Sequence, residues 1–265
     1  MELKKLLVVH DPTREEQPAL ELAAGIAGDS GASLHLFACI HGNESDGEAV
    51  KRQITAHKAA LDALLAPIAA RGIATSSEVD WDRDWHHAVV RAAARDLADM
   101  VFKGSFRRPG RHVLKTRSDS ILIRECLCPV LLIRQVERQP VPKILAAIDI
   151  QAKAPPYKKL NRHVIDFCLR AVENTLAEVH VVNAFADFRF VPDRQRLMEL
   201  AGVPSEQIHI KSGAPDKVIV DVARSIDASL VVVGNSHRSG LAALLHGNTA
   251  EKLLSKLDCN ILAMP

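Results

Sequence analysis

No stretch of this 265-residue chain approaches the roughly 18 consecutive apolar residues of a membrane-crossing helix. No leader is expected at the start of the sequence either. The opening MELKKLLVVHDP holds a short apolar run, then an acid and a proline, with no small-residue cleavage site behind it. These absences predict a soluble, cytoplasmic protein without a membrane partner. Charge of one sign is also lacking. Lys and Arg number 34 against 32 Asp and Glu, a net of +2. A dedicated nucleic-acid binder carries a marked basic excess, so nucleic acid is not the expected partner. Cysteines are few and odd in number: Cys39, Cys126, Cys128, Cys168 and Cys259. That count argues against a disulfide framework and for buried thiols. Cys126 and Cys128 lack the spacing of a zinc knuckle. Catalytic signatures are absent as well: no G-x-S-x-G elbow, no H-E-x-x-H and no intact P-loop. Ser236, His237 and Ser239 are neighbours in sequence, but nearness alone defines no nucleophile and base.

What is present is a globular composition, 48% hydrophobic and 25% charged, and an internal repeat. The run KKLLVVHD, ending at Asp11, is matched by KILAAID, ending at Asp149. SLHLFACI (33–40) is matched by EVHVVNAF (178–185), each with histidine in third place. An ungapped shift of 131 residues lays DMVFKGSFRRPG (99–110) on LVVVGNSHRSGL (230–241) and LCPVLLI (127–133) on DCNILAM (258–264). The halves are expected at residues 1–135 and 143–265, with 136–142 as linker, where two prolines and two charged residues cluster.

Each half reads as βαβαβαβαβ. In the first, strands are expected at 5–10, 33–40, 73–80, 100–103 and 130–133, with helices at 18–27, 49–70, 85–97 and 111–126. In the second, strands are expected at 144–148, 178–184, 207–211, 229–234 and 260–264, with helices at 157–174, 193–200, 215–226 and 247–257. Many strands are apolar at consecutive positions, as in parallel sheets covered on both faces. The fold class is therefore α/β: two tandem doubly wound domains, each a five-stranded parallel sheet with helices on both faces. A ligand in such a sheet sits beyond the strand C-termini at the switch point. Those ends are Asp11, Ile40 and Lys103 in one half and Asp149, Ala184 and Gly234 in the other. The second half has a short second helix preceded by FADFRFVP, which predicts a crevice that is more open or lidded by Phe185–Pro192.

After the fourth strand of the second half comes GNSHRSGLAALLHGNTAEKLL (234–254). A glycine ends the strand, and Gly247-Asn248-Thr249 opens a helix. Glycines let backbone N–H groups approach a phosphate, and the helix N-terminus favours an anion. This loop resembles the nucleotide loop of the universal stress protein family: Gly, two residues, Gly, nine residues, then Gly and Ser or Thr. Gly234 and Gly247 take the first and last glycine places. His237 stands at the middle one and Asn248 at the hydroxyl place, with Thr249 next. GNTAE and the opening LLVVHDPTREEQPAL resemble the tandem branch of that family. The resemblance spans nearly the whole chain. It implies an adenine nucleotide alpha hydrolase-like fold and a stress-response role exerted through ligand binding and protein interaction. It further implies ATP or AMP in the second half, held at Asp149, Ala184, Gly234, His237, Gly247, Asn248 and Thr249, with no metal beyond nucleotide-associated Mg2+. A histidine at position 237 fills phosphate space, so His237→Gly is expected to raise affinity. In the first half Lys103 stands at the first glycine place and Thr116 at the last, leaving Asp11, Lys103 and Thr116 as a degenerate site.

The resemblance also implies that the two last strands pair within the chain, and it leaves homodimerisation open. Two other classes stay open: a scaffold with no nucleotide site, and a weak ATPase. His86 and His87 read as helix-start residues, because adjacent helical residues point about 100° apart and do not clamp one metal. Trp81 and Trp85 read as packing for the same helix. Lys103, Arg107, Arg108, Arg111, Lys115 and Arg117 read as a solvated basic loop, with binding of a phosphate, another anionic ligand or nucleic acid the functional alternative.

Overall fold

The computed structural model describes residues 2–42, 46–105, 117–134, 139–173, 175–235 and 249–265. The chain divides into two compact units, whose described parts are residues 2–42, 46–105 and 117–134 in the first and 139–173, 175–235 and 249–265 in the second.

The first unit runs β1 (Lys5–Val9), α1 (Pro18–Ser30), β2 (Ser33–Ile40), α2 (Gly47–Ala69), β3 (Thr75–Trp81), α3 (Trp85–Arg95), β4 (Met100–Gly104), α4 (Arg117–Glu125) and β5 (Val130–Ile133). Its strands are all parallel, in the order β3-β2-β1-β4-β5. The order follows from right-handed crossovers: two step outward from β1, and the chain then returns to its other side. Helices α1 and α2 therefore cover one face, and α3 and α4, which touch each other, cover the other. Leu6, Leu7 and Val8 are buried in succession, as a strand covered on both faces requires. The first helix begins with Pro18, where a missing N–H costs nothing, and ends on Gly31 at φ 71°, a left-handed C-cap.

The second unit repeats the plan: β6 (Lys143–Ala147), α5 (Pro155–Val172), β7 (Glu178–Phe185), α6 (Arg194–Ala201), β8 (Ile208–Ser212), α7 (Pro215–Ser225), β9 (Leu230–Gly234), α8 (Thr249–Leu253) and β10 (Asn260–Met264). Its strands are again parallel, in the order β8-β7-β6-β9-β10. The α/β class and the tandem arrangement expected from the sequence hold, and most elements fall within a few residues of expectation. Helix α2 spans 23 residues and α6 only 8. The stretch between β7 and α6 forms a short 3-10 turn at Phe188–Phe190. The Gln151 side-chain amide, just beyond β6, donates to the Phe190 carbonyl. The segment thus reaches across to the loop that follows the central strand.

Strand register corrects the repeat by one residue. Leu6 pairs with Met100 and Ile144 with Leu230. The amide of Ser105 donates to Ile133, as that of Asn235 donates to Met264. Gly104 therefore corresponds to Gly234, an offset of 130. Ile133 corresponds to Met264, an offset of 131. The intervening segment is one residue longer in the second unit, so the ungapped shift does not hold across it. Lys103 is accordingly not the counterpart of Gly234. It matches Val233, and the first unit keeps its glycine as Gly104.

Candidate functional site

In each unit the second residue after the central strand is held by a side-chain amide. In the first, Gln17 accepts from the Asp11 amide through Oε1 (3.2 Å) and donates through Nε2 to the Asp11 carbonyl (2.8 Å). In the second, Asn161 does the same for Asp149, at 3.2 and 2.6 Å. Asn183, fully buried in β7, accepts from the Ile150 amide at 2.8 Å. No letter pattern exposes this clamp, because the amide comes from the cap of α1 in one unit and from within α5 in the other.

The two acids differ in how far they are spent. One oxygen of Asp11 accepts from both the amide and the hydroxyl of Thr13, at 3.0 and 2.6 Å, and the other lies 3.7 Å from Arg14. Burial opposes ionisation of Asp11, but the Thr13 hydrogen bonds and the charges of Lys103 and Arg14 outweigh it. Its carboxyl is held below the ordinary value. Asp149 is exposed, and its Oδ1 accepts from the Gln151 amide at 3.0 Å.

At the end of β4 the first unit carries its own anion. Lys103 Nζ lies 2.9 Å from Asp119 Oδ1, donates to the Gly104 carbonyl at 2.8 Å, and sits 5.3 Å from the centre of the Trp85 ring. Ser105 Oγ donates to the other Asp119 oxygen at 2.7 Å. The side chain of Asp119 is 1% exposed. Asp119 lies in the first turn of α4, where a helix favours negative charge. A protein carboxylate and its lysine thus take the place where an anion would dock. Lys103 is therefore not part of a solvated basic loop. Arg107, Arg108, Arg111 and Lys115 of that cluster lie outside the described residues, as does Thr116.

In the second unit the matching positions are Val233 and Ala250, both buried and neither ionisable. Gly234 ends β9, Ala184 lies next to the end of β7, and Thr249 opens α8. These residues and Asp149 share the C-terminal end of the sheet. His237, Gly247 and Asn248 lie outside the described residues. Gly234 has a packing reason of its own. A Cβ there would meet Leu160 Cγ and Cδ2 of α5 at 2.6 Å. The glycine admits a close helix–strand contact, whereas its sequence context pointed to phosphate access.

Other expected sites resolve as structure. His87 Nε2 lies 3.3 Å from Glu125, and the His86 ring meets Trp85 edge-on and His87 at a tilt. All five cysteines are free thiols. Burial pushes Cys126 up to about 12 and Cys39 and Cys128 to about 11, which leaves them protonated near neutral pH. Among the described residues no helix is long and apolar enough to cross a membrane.

The comparisons with known proteins agree across the chain. The pattern of the Universal stress protein family matches residues 2–134 and 163–265. The Universal stress protein E homolog of Haemophilus influenzae is 25% identical, over all of this chain and 98% of that one. Universal stress protein E of Escherichia coli is 24% identical over 98% of this chain and 93% of its own. Among solved structures, a putative universal stress protein from Pseudomonas aeruginosa superposes with a TM-score of 0.80 at 26% identity, covering 99% of this chain and 93% of that one. A functionally unknown protein from the same species gives 0.81 at 26%, covering 99% and 92%. With two matched regions, a shared two-unit length and the same fold throughout, this chain belongs to the universal stress protein family.

Proposed function

We propose that this stress-response protein binds an adenine nucleotide, ATP or AMP, in its second unit and acts through ligand-dependent protein interaction rather than turnover. Membership of the family supports the stress-response role. The observation that carries the ligand reading is the contrast at the fourth strand. The first unit fills its anion position with the Lys103–Asp119 pair. The second has Val233 and Ala250 there, so the start of α8 meets no internal carboxylate from that position. Phosphates would lie over Gly247, Asn248 and Thr249, and the base or ribose near Asp149 and Ala184. Magnesium would arrive with the polyphosphate.

Isothermal titration with ATP and with AMP tests this. Binding should vanish in Gly247→Trp and tighten in His237→Gly. Binding that ignores both substitutions, or that disappears in Lys103→Met instead, overturns the assignment. The scaffold alternative has one observation in its favour: Leu160 accounts for Gly234 without any ligand. Failure of His237→Gly to bind either nucleotide would decide for it.

A further inference from the structure

At the opposite end of the first unit's sheet, three side chains from separate elements meet. His35 is the third residue of β2, Glu78 lies in β3, and Asp96 is the C-cap of α3. His35 Nε2 is 3.5 Å from Glu78 Oε2 and 3.5 Å from Asp96 Oδ2. One donor atom from each of the three residues lies within 4.8 Å of the others. At 3.5 Å neither contact is a good hydrogen bond. His35 is only 9% exposed, and two atoms of the cluster, His35 Nε2 and Asp96 Oδ2, are buried without a hydrogen-bond partner. Such atoms are rare in native proteins, and each needs a reason.

The other ring nitrogen supplies part of that reason. His35 Nδ1 lies 2.8 Å from Ser76 Oγ. The tautomer that donates from Nδ1 to Ser76 turns the Nε2 lone pair toward two carboxylates. Burial, the largest influence on the imidazole, holds its pKa below the ordinary value. Arg95 acts in the same direction, while Asp96 and Glu78 oppose it. With Nδ1 turned to Ser76, Nε2 and the two acid side chains converge on one point as three acceptors, an arrangement that a cation satisfies. Ligand atoms around tetrahedral zinc stand about 3.4 Å apart, given metal–ligand bonds near 2.1 Å. An imidazole whose second nitrogen is fixed by a hydrogen bond is the usual state of a metal-bound histidine.

We propose that His35, Glu78 and Asp96 form a binding site for a divalent transition-metal ion, with Zn2+ the best fit to one imidazole and two carboxylates. Arg95 is the resident cation. Its guanidinium bonds Glu78 and lies 3.3 Å from Asp96, and its side chain is about half exposed, so it can swing to solvent when a metal enters. Metal and Arg95 thus compete for the same carboxylates. The matching positions of the second unit differ. His180 stands for His35, His209 for Glu78 and Ile226 for Asp96. His180 Nδ1 is spent on His209 at 3.1 Å, and Nε2 faces Glu178 at 3.3 Å. This site departs from the sequence expectation of no metal beyond that carried by a nucleotide.

The test is calorimetric titration of the chelator-treated full chain with Zn2+, Mn2+ and Mg2+, with Co2+ as a spectroscopic probe of coordination. Zn2+ should bind once at the site, and Mg2+ should not compete. Glu78→Gln, at a partly exposed position, should weaken Zn2+ by at least about tenfold. His35→Gln should abolish the event, and Arg95→Ala should tighten it by about tenfold by removing the competing cation. Thermal melts confirm that each variant is folded, and Glu78→Gln carries the test if His35→Gln is not. No zinc event, or one that neither Glu78→Gln nor Arg95→Ala changes, overturns the proposal.

Discussion

The Lys103–Asp119 pair makes a quantitative prediction that only the first unit reports. Removing one partner of a buried ion pair strands the other charge, at a cost of about 3–5 kcal/mol. The two partners are not equally trapped. The side chain of Lys103 is 16% exposed and keeps the Gly104 carbonyl and the Trp85 face, whereas that of Asp119, which keeps the Ser105 hydroxyl, is 1% exposed. Lys103→Met should therefore lie in that range, about 3–4 kcal/mol, and Asp119→Ala lower, about 2 kcal/mol. The double change Lys103→Val with Asp119→Ala installs the second unit's own residues. It removes both charges together and should fall within about 1 kcal/mol of the parent. Both tryptophans, Trp81 and Trp85, belong to the first unit, so urea unfolding followed by tryptophan fluorescence reads that unit alone. The decisive quantity is the coupling in the double-mutant cycle. Additive effects, with coupling below about 0.5 kcal/mol, would refute a buried pair at this position.

Two further outcomes follow from the same reasoning. His10, His35 and His209 are all held below the ordinary histidine value of 6.5, chiefly by burial. The unfolded chain then binds more protons than the folded one in that range. The stabilisation is complete above pH 6.5 and is lost as pH falls through it toward the folded values. The urea midpoint should decline steadily from pH 7.5 to 5.5, above the range where Asp11 and Asp216 titrate; a flat or rising midpoint contradicts the burial argument. Gly234→Ala forces a Cβ against Leu160 and should cost about 1–3 kcal/mol, the usual range for overpacking. Since Gly234 is not in the left-handed region, the strain is steric, and Leu160→Ala in the same chain should recover most of it. Equal losses with and without Leu160 would remove packing as the reason for this glycine.

The element order was legible because each strand is a short apolar run bounded by turn residues and each helix shows a near-3.6 period. Those signals survive even where the letters do not repeat. Register was not legible to the residue. At low identity an ungapped shift looks sound on both sides of an insertion, and only the hydrogen bonds of Ser105 and Asn235 to the last strands show the offset. That one residue changed the meaning of Lys103, from a lost glycine to half of an ion pair whose other half is sixteen positions on. The histidine in third place of β2 and β7 stood out as a marker of the repeat. Its surroundings did not, because Glu78 and Asp96 arrive by crossovers that bring β3 and the end of α3 beside it. Asp149 was placed by topology, as a residue just beyond a central parallel strand, and Thr249 by the resemblance of the loop before it.

Two of the differences between the units involve more than one position, and this has a physical cause. A buried charge without a partner is costly, so a core position changes its charge cheaply only when its neighbour changes too. Lys103 and Asp119 answer to Val233 and Ala250; Glu78 and Asp96 answer to His209 and Ile226. Motif matching reads positions one at a time, and so it sees a degenerate loop in the first unit and an unremarkable strand histidine. The structure reads them as sets. One set supplies an internal anion at a helix start, and the other gathers three acceptors around a point. For the same reason a single substitution cannot return the first unit to the second unit's arrangement. Lys103→Val alone leaves the buried Asp119 carboxylate without its lysine, and Asp119→Ala alone leaves a lysine facing a carbonyl and a ring. Only the paired change frees the start of α4 for an external anion, and that is the variant in which a phosphate site in the first unit should be sought.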